Sequence, residues 1–299
     1  MARRPLPLPQ PLSALARLQA GLVSTAQCVA AGVTRQRVGR LVRAGVLVTH
    51  VRGVHELVGC PPAPTSDGEV IDRRRRRAAF LGVLAHGPTA VATGLCALVL
   101  LGVHGAPARI RPEVALRHGG PSDAAPEVRV RRTAVRATRV VDGIECVTPE
   151  VALAQAVPEL DRETAVALMD SARHRRVMTA RQMERARALA TGRRGARRSR
   201  GWWEEHDPRS QSPAETRARL RCADAGFPAD VVQLEIRDPR AGSLPASTSP
   251  GCSRTAGGCS WRSTAWSGTR AAATCWPIWR VRTASSRPAR SCADGREPR

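Results

Sequence analysis

Lysine, asparagine and tyrosine are absent from this 299-residue chain, and phenylalanine occurs only twice. The three missing residues have AT-rich codons, so their joint absence points to a GC-rich gene. Part of the arginine content is then a codon effect rather than selected charge. The nine cysteines are scattered and include no C-x-x-C pair, so neither a zinc knuckle nor a disulfide framework is indicated. A phosphate-binding loop, an H-E-x-x-H helix and a G-x-S-x-G elbow are also missing. The longest apolar run, AVATGLCALVLLGV at 90–103, is too short to cross a bilayer and reads as a buried helix. The start, MARRPLPLPQPL, puts prolines where a secretion signal has its apolar segment. A cytoplasmic protein with reduced thiols and no membrane partner is expected.

What the chain has is arginine. The formal net charge is +23, and every basic residue other than histidine is Arg. Such a field makes a polyanion, nucleic acid first, the partner to consider. The first 60 residues hold eight arginines and one acid, Glu56.

The pattern divides the chain. Residues 1–11 read as a disordered N-terminus. Residues 12–60 carry three helices and a hairpin, the order of a winged helix-turn-helix. LSALARLQAG closes at Gly21; Ser24 and Gln27 stand at capping-box spacing; Gly32 ends the second helix. Thr34 caps a third helix that stops at Gly45, and Arg52-Gly53 joins two β-rich arms. Residues 61–77 read as a basic linker ending in Arg73 to Arg77, either a solvated segment or a phosphate-contacting arm. Residues 78–192 read as a mixed α/β domain. Strands are expected in PEVAL and EVRVRR, a hairpin at Asp142-Gly143, and a helix capped by Thr148 with Pro149 in its first turn. Two more helices are expected near 161–174 and 179–190. A basic linker, 193–211, precedes a helix and strand at 212–240. From Ala241 onward the only aliphatic residues are Leu244, Ile278 and Val281, which cannot build a core; 241–299 reads as a disordered tail.

The third helix carries the clearest chemistry. Val38, Leu41 and Val42 share one face; Gln36, Gly39, Arg40 and Arg43 share the other, with Arg35 and Arg37 on its flanks. A recognition helix needs this split, because its apolar side packs on the preceding helices while its polar side enters the major groove. Arg can read guanine through two hydrogen bonds, and Gln can read adenine likewise. The candidate double-stranded-DNA contacts are Thr34, Arg35, Gln36, Arg37, Arg40, Arg43 and, at the hairpin tip, Arg52. The plainer alternative is an amphipathic helix whose arginines face water. Metal ligands and catalytic residues are not expected. The seven histidines stand in no nucleophilic arrangement and read as structural, Cys28 and Cys96 as small core residues. Glu204, Glu205, His206 and Asp207 read as a solvated helix start.

Residues 22–59, LVSTAQCVAAGVTRQRVGRLVRAGVLVTHVRGVHELVG, resemble the winged-helix domain of the AbiEi-type antitoxins. That pattern has a helix ending in A-A-G, then S/T-R-x-x-I/V-x-R-x-V/L-x-x-G, then a β-arm with R-G-V-Y; His55 stands where Tyr is usual. VVDGIECVTPEVALAQAV and RRVMTARQMERA resemble the middle region of the same architecture. SPAETRARLRCADAGFPADVVQLEIRD at 212–238 resembles the opening of a very-short-patch-repair-like endonuclease domain. The resemblance covers about residues 12–238. It implies a transcriptional repressor and antitoxin of a type IV toxin–antitoxin system, binding operator DNA at its own promoter and opposing a nucleotidyltransferase toxin. The fold class it implies is α+β: a winged head, a mixed middle domain and an incomplete restriction-endonuclease-like remnant. Glu215 matches the early carboxylate of such nucleases. The carboxylates that would complete a Mg²⁺ site are missing, since no Asp or Glu occurs between Ala241 and Ala293. No cofactor is therefore expected, and no cleavage. An endonuclease of the very-short-patch-repair kind, inactive in this chain, and a protein-binding antitoxin without an operator are the rival readings.

The tail has its own explanation. WRSTAW at 261–266 can be encoded TGG AGG TCG ACG GCG TGG, which from the third base reads E-V-D-G-V. ASTSPGC at 246–252 yields V-D-L-A-W-L in the same shifted frame. A frameshift or gene-model error near 238–243 accounts for the lost carboxylates better than a metal site at Cys252, Cys259, Cys275 and Cys292 or a tryptophan stacking platform.

Overall fold

The computed structural model describes residues 8–226, except 62, 63, 118 and 121–124. The chain divides into two units, Met1–Ala265 and Trp266–Arg299. The second unit, the strand expected at 230–238 and the tail expected to be disordered and out of frame all lie outside the described residues.

The head follows the order α1 (Gln10–Leu18), β1 (Leu22–Ser24), α2 (Thr25–Ala30), α3 (Arg35–Arg43), β2 (Leu47–Val51), β3 (Val54–Leu57). Its strands pair antiparallel in the order β1-β3-β2, the arrangement of a winged helix. Local chemistry sets each boundary. Ser24 Oγ accepts from the Gln27 N–H at 3.1 Å, and Gln27 Oε1 accepts from the Ser24 N–H at 2.9 Å. Gly32, with φ +81°, lets Val33 N–H reach back to Cys28 O. Gly45, with φ +69°, does the same for Val46 and Leu41 O. Both helices thus end in the six-to-one bond that a left-handed glycine permits. Leu12, Ala16, Cys28, Val33, Val38, Leu41 and Leu47 form the core of the head.

The middle domain is α4 (Asp67–His86), β4 (Ala90–Ala92), α5 (Gly94–Leu100), β5 (Glu113–Leu116), β6 (Arg129–Arg131), β7 (Thr138–Val141), β8 (Ile144–Val147), α6 (Pro149–Ala156), α7 (Arg162–His174), α8 (Ala180–Ala190) and α9 (Pro213–Asp224). Its strands form one mixed sheet in the order β6-β5-β4-β8-β7. The β4–β5 and β7–β8 pairs are antiparallel; β4–β8 and β5–β6 are parallel. Asp142 and Gly143 turn β7 into β8 with φ +50° and +76°, the two positive values a tight hairpin turn needs. β1 and β3 of the head pack on α4, so Ala20, Leu22, Val51 and Val54 share a core cluster with Phe80.

Several boundaries differ from the sequence expectation. The N-terminal helix begins at Gln10, inside the segment expected to be disordered. The linker expected at 61–77 is helical from Asp67. Ser66 Oγ accepts from Glu69 N–H, Glu69 Oε2 accepts from Thr65 N–H, and the helix then buries Ala79, Phe80, Val83 and Leu84. The apolar run at 90–103 opens as strand β4, and α5 starts only after Thr93. The basic linker expected at 193–211 is packed: Ser199, Trp203 and Ser210 are all buried. Glu204, Glu205 and Asp207 pair with Arg187, Arg162 and Arg209 rather than opening a helix. Cys28 and Cys96 are fully buried.

Candidate nucleic-acid interface

α3 is held from one side and open on the other. Val38 and Leu41 are buried in the head core with Val42 packed against it. Thr34, Arg35, Gln36, Gly39, Arg40 and Arg43 are exposed, and Arg37 is half-buried. Thr34 Oγ1 accepts from Arg37 N–H at 3.3 Å, so its hydroxyl fixes the N-terminus of the helix. Among the described residues the side chains of Arg35, Gln36, Arg40, Arg43 and Arg52 make no hydrogen bond or ion pair. Arg52 is exposed in the turn between β2 and β3, where Gly53 takes φ +78°. The sequence-expected residues thus fall on one helix face and one hairpin tip.

Gly39 sits in the middle of that face, and a Cβ added there would meet nothing within 4 Å. Its backbone is helical, so the side chain is missing for a reason other than strain. Gly39→Ala is expected to raise stability by about 0.5–1 kcal/mol, as alanine in a helix interior does. Urea denaturation checks this; a destabilised variant would mean that the site is crowded after all.

The wing is tied down behind its tip. His55 is buried and bridges two hydroxyls, Thr25 Oγ1 at 2.9 Å and Thr49 Oγ1 at 3.0 Å. Burial pushes its imidazole below the ordinary histidine range, toward the neutral form. These contacts link the first residue of α2 to β2. Glu56 receives two hydrogen bonds from Arg77 of α4, at 2.5 and 2.7 Å. His50 Nε2 lies 2.8 Å from Glu56 and 2.7 Å from Arg77; the tautomer decides which of the two it bonds. Arg77 holds the Glu56 carboxyl down to about 2, so it is ionised at neutral pH.

Within the arginine run from 73 to 77, which lies in α4, only Arg74 is exposed; the other four are bonded within the protein. Arg73 donates to Pro61 O, Arg75 to Ala106 O and Pro107 O, Arg76 to Asp142, and Arg77 to Glu56. These acceptors lie 12 to 66 residues away in sequence, so no local pattern could have announced them. Arg73 and Arg77 bracket α4 to Pro61 and the wing, while Arg75 and Arg76 hold α4 within the middle domain.

Glu215 is also accounted for locally. It stands in the first turn of α9, where Ser212 Oγ accepts from its N–H and its Oε2 accepts from Gln211 N–H at 2.9 Å. Among the described residues, no three His, Cys, Asp or Glu side chains group so as to hold a metal ion, and no helix is long and apolar enough to cross a membrane.

With this geometry in place the comparison with known families bears on the head. Residues 10–55 match the family described as "Transcriptional regulator, AbiEi antitoxin". The matched span runs from the first residue of α1 to His55 in β3, so it contains the whole helix-turn-helix and most of the wing. The AbiEi likeness therefore rests on the element that bears the exposed arginine face. No curated protein and no solved structure matches the chain.

Proposed function

We propose that this protein is a DNA-binding transcriptional regulator that represses its own promoter and acts as the antitoxin of a type IV toxin–antitoxin pair. α3 enters the major groove, with Arg35, Gln36, Arg40 and Arg43 toward base edges and phosphates and Arg52 at the neighbouring backbone. One observation carries this reading. Those side chains form an exposed face without intramolecular partners among the described residues, while four of the five arginines at 73–77 of α4, all but the exposed Arg74, are bound to carbonyls and carboxylates. The AbiEi match over the same elements supports it.

The chain acts by binding rather than by cleaving DNA, in the cytoplasm. Glu215, its one residue resembling a nuclease carboxylate, serves as a helix-start acceptor. The middle domain is left for the partner, a nucleotidyltransferase toxin. A gene for such an enzyme is expected beside this one, and its absence would remove the antitoxin half of the reading.

The DNA half is tested by titrating a duplex of the gene's own upstream region with the full chain over a range of salt. Tight binding with a steep salt slope is expected, because each phosphate contact contributes about 0.9 to that slope. Equal affinity for an unrelated duplex of the same length would show that no operator is read.

A further inference from the structure

Glu56 is the only carboxylate in the first 60 residues. It lies on β3, the central strand of the head sheet, two residues beyond Val54, the register partner of Val51. By strand rise, about 10 Å separates it from Arg52 at the tip of the wing. That is close to one Debye length at physiological salt, about 8 Å. A bare carboxylate at this position would oppose phosphate binding at the wing. It is not bare: both Oε atoms accept from the guanidinium of Arg77, and His50 stands against the same group. Glu56 and Arg77 are each mostly shielded, with side chains 22% and 24% exposed.

We propose that Arg77, a residue of the middle domain outside the winged helix, is an electrostatic mask for the head, cancelling its single carboxylate so that the face presented to DNA is uniformly positive. The inference rests on the DNA-binding reading above. It gives α4 a role in affinity without any contact to DNA. It also explains why the arginine at this position points back to the wing rather than outward with Arg74, which is exposed.

The experiment uses the full chain, the upstream duplex and the variants Arg77→Gln, Glu56→Gln and Glu56→Gln/Arg77→Gln. Arg77→Gln is expected to weaken binding about fivefold at low salt, the difference shrinking as salt is raised and the exposed carboxylate is screened. The double variant is expected to return to within about twofold of the parent, since the carboxylate and its mask are removed together. Glu56→Gln alone is expected to bind at least as tightly as the parent, and it serves even if Arg77→Gln fails to fold. Parental affinity in Arg77→Gln, or a double variant as weak as Arg77→Gln, would overturn the proposal; so would weakened binding by Glu56→Gln. A purely structural clamp predicts no such rescue. A parent chain that binds no duplex would instead overturn the DNA reading itself.

Discussion

Asp170→Ala is expected to lower the free energy of unfolding by about 3 kcal/mol, near the lower end of the range for removing one partner of a buried ion pair. Asp170 lies on α7 with 1% of its surface exposed. Its Oδ1 accepts from Asp207 N–H at 2.6 Å; its Oδ2 accepts from Thr216 Oγ1 at 2.7 Å and Arg219 Nη2 at 2.9 Å. Burial pushes its carboxyl above the usual carboxylate range, and these donors pull it back. Alanine leaves the partly buried Asp207 N–H without its acceptor and the buried Thr216 hydroxyl with only its longer contact to Ser212 O at 3.3 Å. Arg219 suffers less: it keeps a bond to Glu205 O at 2.7 Å, and its side chain is 16% exposed. That retained contact is why the low end of the range applies. At about 2–4 °C per kcal/mol for a chain of this size, Tm should fall by roughly 6–12 °C. Thr216→Val should cost only about 1 kcal/mol, one hydrogen bond. Thermal and urea unfolding measure both, and a loss under about 1 kcal/mol for Asp170→Ala would show that the cluster is not holding α9.

The position of that cluster bears on how the chain is organised. Asp170 belongs to α7, Asp207 to the segment after the 3-10 turn at Gly201–Trp203, and Thr216 and Arg219 to α9. Leu220 of α9 and Trp203 join the same core cluster as Met169. Gly195, with φ +90°, comes so close to Pro158 O that a Cβ there would overlap it. Residues 193–224 therefore close the middle domain, whatever ancestry the α9 sequence suggests. α9, whose sequence was expected to open a nuclease-like domain, packs here as a cover on α7.

Local signals were legible wherever a boundary is set by local chemistry. The Ser24–Gln27 capping box, the Thr34 cap, Gly45 and the Asp142-Gly143 turn each act within a few residues, and each stands where the spacing puts it. The split of α3 into an apolar and an arginine face was legible for the same reason: helical periodicity needs no knowledge of the fold. The start of α4 was legible too but was overridden. Thr65, Ser66 and Glu69 form a helix start, yet the prolines at 61, 62 and 64 made the segment read as a linker. The arginine brackets and the Asp170 cluster were not legible. Their partners lie up to 66 residues apart, and an arginine bound to a distant carbonyl has the same sequence signature as one facing water. Composition compounded this, because arginine supplied by codon bias cannot be told from arginine selected for a partner. Burial and hydrogen-bond partners, rather than charge counts, separate α3 from α4.

That separation makes the Arg40→Ala/Arg43→Ala double variant the sharpest probe of the DNA interface. Both side chains are exposed and without a partner among the described residues, so the fold loses nothing by their truncation. Stability should stay within about 0.5 kcal/mol of the parent, the ordinary range for surface changes. Affinity for the upstream duplex should behave quite differently. An arginine that reads a guanine contributes about 1–3 kcal/mol of discrimination, and one that meets a phosphate contributes about one unit of salt slope. If the two residues divide between these roles, specific binding falls on the order of a hundredfold, and the salt dependence flattens by about one. Binding to an unrelated duplex should fall much less, because most of its affinity comes from the remaining positive field. The contrast is the useful part: a loss confined to the upstream duplex locates base reading in α3, and an equal loss on both duplexes reduces the helix to a phosphate contact. A double variant that binds the upstream duplex as tightly as the parent would remove α3 from the interface and leave the arginine face of this helix as a solvated surface.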